Sequence, residues 1–262
     1  MTETTGLPTP DLTGRSAVVT GASRGIGLAI ATELARRGAA VVITGRKPEP
    51  LEAAVQEIRD AVPGARALAV AGNTGDAEHR AEAVAAAVSH GGIDILINNT
   101  GIAPTAGPLI DADLGAVRKT FDTNVVAALG YIQEAYRAGM AETGGAVVNV
   151  ASVAGLRSTG SIAAYGASKA ALIRLTEELS WELGPRRIRV NAIAPAIVRT
   201  KFADVLISGD KEAEAIARYP LGRLGVPADI AAAAAFLVSE QASWITGETL
   251  RVDGGLLATG AL

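Results

Sequence analysis

The amino-acid sequence predicts an α/β protein, a doubly wound sheet of about seven strands, mostly or wholly parallel, flanked by helices. Three observations carry this. Short apolar runs alternate with longer helical patterns from end to end. Several runs are continuous in Val, Ile, Leu and Ala, as strands covered on both faces require. Apolar residues make up 49% of the 262 residues and charged residues 19%, which supplies a large core and argues against a disordered chain.

In order, the strands are expected at 16–20, 40–44, 66–70, 93–97, 146–150, 188–193 and 249–252. Helices are expected at 25–37, 50–61, 77–90, 114–140, 163–183 and 228–238. Sustained strand–helix alternation implies right-handed crossovers in one Rossmann-like sheet. No repeat or linker separates a second domain, so residues 12–262 read as one domain behind a flexible extension, 1–11. The alternation is interrupted once, near 199–225, by a Gly/Pro-punctuated segment that reads as a lid.

Composition narrows the function. Net charge is −3 with no Lys/Arg run, against nucleic-acid binding or a membrane surface. There is no cysteine, which excludes disulfides, thiolate metal sites and a thiol nucleophile. His79 and His90 lack clustered carboxylates, so no metal site is expected. The opening residues have no basic start or apolar core, and the apolar runs are too short to span a bilayer. The expectation is a cytoplasmic protein.

The first strand runs into Gly21, Ala22, Ser23, Arg24, Gly25, Ile26 and Gly27, then a helix. Glycines let the backbone turn sharply and bring N–H groups close to a diphosphate, and the helix N-terminus adds a favourable dipole. The spacing is G-x-x-x-G-x-G, which elsewhere can be plain turn chemistry; its place between strand and helix favours a nucleotide. The second strand ends at Gly45, Arg46 and Lys47, where an NAD-preferring site places Asp or Glu. A carboxylate there repels a 2′-phosphate, whereas Arg46 and Arg24 can bind it. NADP(H) is therefore favoured over NAD(H), the alternative being that these are solvated surface cations. Asn73 and Thr74 end the third strand and are placed to meet adenine. Asn98, Thr100 and Gly101 end the fourth, where small polar groups can line a ribose; either stretch alone is an ordinary turn.

Tyr165 and Lys169 are four apart in a helical pattern and share a face. An ammonium beside a phenol favours the phenolate, so Lys169 is expected to lower the Tyr165 pKa toward neutrality and make it an acid–base group. Such a pair also occurs on surfaces by chance. Ser152 ends the fifth strand, where the ligand crevice of an open sheet lies.

Thr20-Gly21-x-x-x-Gly25-x-Gly27, the run Asn98 to Gly101, Asn124, Ser152, Tyr165-x-x-x-Lys169, Pro195 to Thr200, the stretch from Tyr219, and Trp244 to Gly255 together resemble the classical short-chain dehydrogenase/reductases. The resemblance spans about Leu12 to Gly255, with 3-oxoacyl-carrier-protein reductases and related carbonyl reductases the most similar branch at the C-terminal end. It implies that Tyr165 is the general acid in reduction and base in oxidation, and that Lys169 holds the nicotinamide ribose. Ser152 would orient the carbonyl, Asn124 would hold a helix bend and a relay water, and Thr200 would touch the nicotinamide, with Pro195 and Val198 beside it. A homotetramer or homodimer is implied as well. Three positions depart from the family pattern: Thr100 for Ala, Asn73 for Asp and Ala196 for Gly.

The expected substrate is a small carbonyl or secondary alcohol, with a 3-oxoacyl thioester one candidate. Phe202, Val205, Leu206 and Ile207 make the lid apolar, which suits a lipophilic carbonyl or equally a helix packed on its own domain. Ala196, Ile197 and Leu156 are weaker pocket candidates. Lys201 with Arg199 could attract an anionic carrier protein, though a solvated surface pair is the plainer reading. Trp181 and Trp244 read as packing or interface residues. Rival readings are an NAD(H)-dependent alcohol or polyol dehydrogenase, an epimerase or dehydratase disfavoured by the glycine spacing, and a non-catalytic nucleotide-sensing regulator. A regulator would be expected to have lost Tyr, Lys or Ser, and all three are present.

Overall fold

The computed structural model describes residues 11–201 and 211–258. The expected extension, but for Asp11, and the lid residues Phe202, Val205, Leu206 and Ile207 lie outside them. Seven strands form one sheet: β1 (Ser16–Val19), β2 (Ala40–Gly45), β3 (Ala67–Ala71), β4 (Ile95–Asn98), β5 (Gly145–Val150), β6 (Ile188–Pro195) and β7 (Thr249–Val252). Their order is β3-β2-β1-β4-β5-β6-β7 and every pairing is parallel.

The helices are α1 (Gly25–Arg36), α2 (Pro48–Ala61), α3 (Ala77–Val88), α4 (Leu114–Phe121), α5 (Ala127–Ala135), α6 (Ala141–Thr143), α7 (Ala163–Leu183), α8 (Lys211–Ile216) and α9 (Pro227–Val238). Pleating splits each apolar run between two cores. Val19, Val41, Ile43, Ile97 and Val148 pack with Leu34 of α1, Ile58 of α2 and Ile230 of α9. Val18, Val42, Leu96 and Val147 pack on the other face with Val84 of α3, Tyr131 of α5 and Leu179 of α7. This is why the strands read as continuous rather than alternating. Each fully buried side chain of this kind contributes about 1.5–3 kcal/mol.

The single helix expected over 114–140 is broken. A π turn, Asp122–Val126, separates α4 from α5, and a second, Tyr136–Met140, follows with Gly139 at φ 127°. The first break has a visible cause. It turns the Asn124 amide inward, where Oδ1 accepts from Ile102 N at 2.8 Å and Nδ2 donates to Ile102 O at 3.0 Å and Ser168 Oγ at 2.9 Å. Those bonds offset the poorer backbone geometry of a widened turn.

Consecutive strands run outward from β1 to one side and from β4 to the other. The carboxyl edge therefore opens a crevice between β1 and β4, the switch point at which such sheets bind ligands.

Candidate active site

The glycine loop is fastened to the end of β4. Thr20 Oγ1 accepts from the backbone N–H of Asn99 and of Thr100, both at 3.0 Å. Asn99 Nδ2 donates to Thr20 O at 2.9 Å and Gly21 O at 3.0 Å. No side chain larger than hydrogen fits at two of the loop positions. A Cβ at Gly21, where φ is +64°, would lie 2.9 Å from Thr100 Oγ1, and one at Gly27 would lie 2.5 Å from Asn99 Nδ2. Gly25, at φ +61°, faces Thr200, whose Cγ2 would be 3.3 Å from an added Cβ. The loops after β1, β4 and β6 thus converge.

The N-terminus of α1 is open. Asp76 and Asp113 cap α3 and α4 with their carboxylates, whereas Arg24 makes no side-chain cap on α1 and its first turn holds no acidic residue. Its leading N–H groups and a positive helix end suit a diphosphate. Arg24 and Arg46 are exposed and in no ion pair among the described residues. A cradle shaped for backbone approach, an uncapped helix end and nearby exposed guanidinium groups fit the diphosphate of a nicotinamide dinucleotide.

The Asn98 side chain is buried inside the sheet, where Nδ2 donates to Asn149 Oδ1 at 2.9 Å and Ala128 O at 3.3 Å, so only its backbone at the end of β4 is left to the crevice. Asn98 shares strand parity with buried Leu96, so its amide enters the core and the neighbouring Asn99 serves the crevice. Asn73 is exposed, with Oδ1 accepting from Gly75 N at 3.2 Å, and Thr74 O accepts from Arg80. Val198 packs its side chain into the core, leaving only its backbone to the crevice. Pro195 ends β6 beside Val252, and Ser23 and Ile26 are half-buried in the glycine loop.

Ser152, Tyr165 and Lys169 come together beyond β5. The Ser152 hydroxyl accepts from Ala154 N at 3.1 Å and shares a hydrogen bond with the Tyr165 phenol. Lys169 is 2% exposed, and its Nζ donates to Val150 O at 2.7 Å and lies 5.7 Å from the Tyr165 ring centroid. A Cβ at Gly101 would lie 3.3 Å from that Nζ, which places the ammonium against the loop after β4.

The expected electrostatics are also corrected. Burial pushes the Tyr165 pKa up to about 12, outweighing the lowering effect of Ser152. Burial likewise brings Lys169 down to about 8. Desolvation disfavours both charged forms and is the largest influence on each. In the chain itself the phenol is a neutral proton donor at pH 7.

A small apolar cluster separate from the main cores lies beyond the end of β6. Tyr219 and Leu224 pack with Ala196, Ile197 and Leu256, and Tyr219 Oη accepts from Ile197 N at 3.1 Å. Leu156 is 41% exposed after Ser152, and Arg199, still half-exposed like a surface cation, is ion-paired with Glu212 at 2.5 Å. A cavity of about 240 Å³ lies between the loop 104–113 and the start of α7. A larger one, about 660 Å³, lies at the opposite edge of the sheet among Arg15, Asp94 and Arg189 and is remote from these groups. Thr20, Asn99 and Ser168 were not singled out as site residues by the sequence reading, although Thr20 and Asn99 fall inside its motifs.

Comparison with known proteins agrees with this geometry. Residues 21–257 match a family model described as Enoyl-(Acyl carrier protein) reductase. The chain is 40% identical over 249 residues to Dehydrogenase/reductase SDR family member 4 of Pongo abelii, covering 93% of this chain and 88% of that relative. A structure from Sinorhizobium meliloti 1021, provisionally a short-chain alcohol dehydrogenase, superposes with TM-score 0.90 at 39% identity, over 97% of this chain and 100% of that one. Another, from Beutenbergia cavernae, is provisionally an NAD(P)-dependent gluconate 5-dehydrogenase with NADP bound at low occupancy. It has TM-score 0.89 and 38% identity, over 96% and 100% of the two chains. With its motifs meeting at one crevice and the match running nearly end to end, the chain belongs to the short-chain dehydrogenase/reductase family, enzymes that act on alcohol and carbonyl groups.

Proposed function

We propose that this enzyme transfers a hydride between NADP(H) and a small carbonyl compound or its secondary alcohol, with Tyr165 as the proton donor in reduction. The observation that carries the reading is the neutral Tyr165 phenol, hydrogen-bonded to Ser152 and backed by buried Lys169, at the same strand edge as an open helix end flanked by Arg24 and Arg46.

The residues divide the work by position. Ser152 holds the substrate oxygen beside the phenol, and Tyr165 donates its proton to that oxygen as negative charge develops there. The dinucleotide, when bound, supplies the hydride. Lys169, anchored on Val150 O, favours the phenolate left behind and faces the ribose side through Gly101. Gly21, Gly25 and Gly27 admit the diphosphate, Arg24 and Arg46 bind a 2′-phosphate, and Thr74, Thr100, Pro195, Val198 and Thr200 line the remaining length. Asn124 holds the π turn against Ile102.

The apolar cluster of Ile197, Tyr219, Leu224 and Leu256 supports a lipophilic substrate such as a 3-oxoacyl thioester. A second reading, a polyol or sugar-acid dehydrogenase, is favoured by the Beutenbergia neighbour and by Arg157 and Arg218, exposed guanidinium groups whose charge reaches the Tyr219 hydroxyl. Steady-state kinetics with NADPH and NADH against 3-oxoacyl thioesters, diketones and keto sugar acids separates the readings. Absence of turnover with all of them would sink the first. Trp181 and Trp244, 87% and 98% exposed, support a homo-oligomer, which light scattering of the purified protein checks.

A further inference from the structure

Helix α7 carries two fully buried hydroxyls on its inner face, Ser168 and Thr176. Each bonds back to its own helix: Ser168 Oγ donates to Tyr165 O at 2.7 Å and Thr176 Oγ1 to Leu172 O at 2.9 Å. Each also accepts an asparagine amide from outside the helix, Ser168 from Asn124 at 2.9 Å and Thr176 from Asn149 at 2.9 Å. The helix is pegged at two points by the same device.

The two pegs differ in what they join. Thr176 ties α7 to β5, a rigid strand. Ser168 ties it to Asn124, whose remaining hydrogen bonds all go to the backbone of Ile102. Ile102 follows Gly101, and Gly101 faces the Lys169 ammonium, while Lys169 follows Ser168. The link therefore closes a ring: helix, serine, asparagine, loop, lysine, helix. Local back-bonding of a helical serine is common, but here its other lone pair fixes a loop.

We infer that Ser168 is a positioning residue of the reaction, holding the Asn99–Ile102 loop in register with Tyr165 and Lys169 by accepting the second amide proton of Asn124. This rests on the assignment of Tyr165 and Lys169 as the reacting and supporting groups. Removing the hydroxyl strands an N–H in a site where Asn124 is 1% exposed. The π turn must relax or the amide must rotate, and either movement displaces Ile102 and Gly101 from Lys169. Lys169 stays on Val150 O, so loop and ammonium part company.

The test compares Ser168→Ala with Thr176→Val, each of which strands one asparagine proton. Both are expected to lower Tm by a similar amount. Only Ser168→Ala should lower kcat/KM, by about tenfold, weaken NADPH binding and move the phenol limb of the pH–rate profile. Thr176→Val should keep kcat/KM within about twofold and leave the profile in place. Ser168→Thr, which retains the hydroxyl, should recover the wild-type profile. If Ser168→Ala does not fold, Ser168→Cys is read in the same way. Parallel behaviour of the Ser168 and Thr176 variants, or an unmoved profile in Ser168→Ala, overturns the positioning role. Tyr165→Phe is run alongside: full turnover by that variant removes the site assignment, and the role of Ser168 falls with it.

Discussion

Lys169 should cost the fold stability that its function requires. Its side chain is 2% exposed and its pKa is depressed from 10.5 to about 8 by burial. At about 1.4 kcal/mol per tenfold change in affinity for the proton, that depression corresponds to about 3 kcal/mol of unfavourable charge burial at pH 7. The sign follows from proton counting. Between about pH 8 and 10.5 the unfolded chain still holds the proton that the folded chain has released, so stability rises with pH across that window. Lys169→Met removes the buried charge and keeps the length, but leaves Val150 O without its donor, a loss of about 1 kcal/mol. The net expectation is a gain of about 2 kcal/mol at pH 7, or a Tm higher by about 4–8 °C, in an inactive protein. Guanidinium unfolding of both proteins from pH 7 to 9.5 measures it. The stability gap should shrink toward alkaline pH as the wild-type amine discharges. Tyr165 contributes with the opposite sign and only above about pH 10, where the unfolded phenol ionises before the folded one at about 12, so the chosen range excludes it. A variant less stable than wild type at pH 7, with a gap independent of pH, would refute the reasoning.

Four further outcomes follow from the same geometry. Tyr165→Phe should lower kcat by about 10²–10⁴ while NADPH binding, followed by fluorescence, changes little; normal turnover would remove the phenol as proton donor. Arg46→Asp should shift the NADPH/NADH ratio of kcat/KM toward NADH by about 10- to 100-fold, through a lost charge-assisted contact and an added repulsion; an unchanged ratio would place the discrimination elsewhere. Gly27→Ala brings a methyl to 2.5 Å from Asn99 Nδ2 and 2.7 Å from Gly21 O. It should cost about 1–3 kcal/mol in chemical denaturation and weaken dinucleotide binding, and a variant with wild-type affinity would argue against a close backbone cradle. Because the folded phenol is raised to about 12, alcohol oxidation should climb steadily from pH 7 to 10 whereas carbonyl reduction stays nearly flat; pH–rate profiles in both directions decide this.

The sheet was legible because burial on both faces leaves a one-dimensional trace. Val41, Val42 and Ile43 are all apolar for the simple reason that one core takes the first and third and another takes the second. The crevice was legible for a related reason, since Gly21, Ser152 and Thr200 follow strands and parallel strands end at one edge. Parity also places the Asn98 side chain, which follows Leu96 by two and shares its buried face. The π turn at 122–126 left no comparable mark: no Gly or Pro interrupts Asp122-Thr-Asn-Val-Val, and its cause is a contact with Ile102, 22 residues distant. Spacing on a helix fixes which groups are neighbours and says nothing about how much water each keeps, so burial rather than the nearby Lys169 governs the Tyr165 pKa. Desolvation is a property of the assembled fold.

That distinction divides the molecule. Among the described residues, no polar or charged side chain of α1, α2 or α9 is buried, whereas α7 alone buries Ser168, Lys169 and Thr176. The helices under the glycine loop thus pack through apolar side chains, whose energy is additive, non-directional and tolerant of volume-conserving exchange, with Asn191 and Ser239 buried only toward β7. The face behind the phenol is joined by hydrogen bonds running from Asn98 to Asn149 to Thr176 and from Ile102 to Asn124 to Ser168. Such bonds add little net energy when complete and cost much when one partner is lost. They also fix orientation, which apolar packing does only loosely. A diphosphate held by backbone N–H groups needs a stiff platform, and an apolar core supplies one. Proton transfer from a phenol needs its neighbours held within fractions of an ångström, and the arm from Ile102 through Asn124 to Ser168 meets that requirement, whereas the arm through Thr176 fastens α7 to β5.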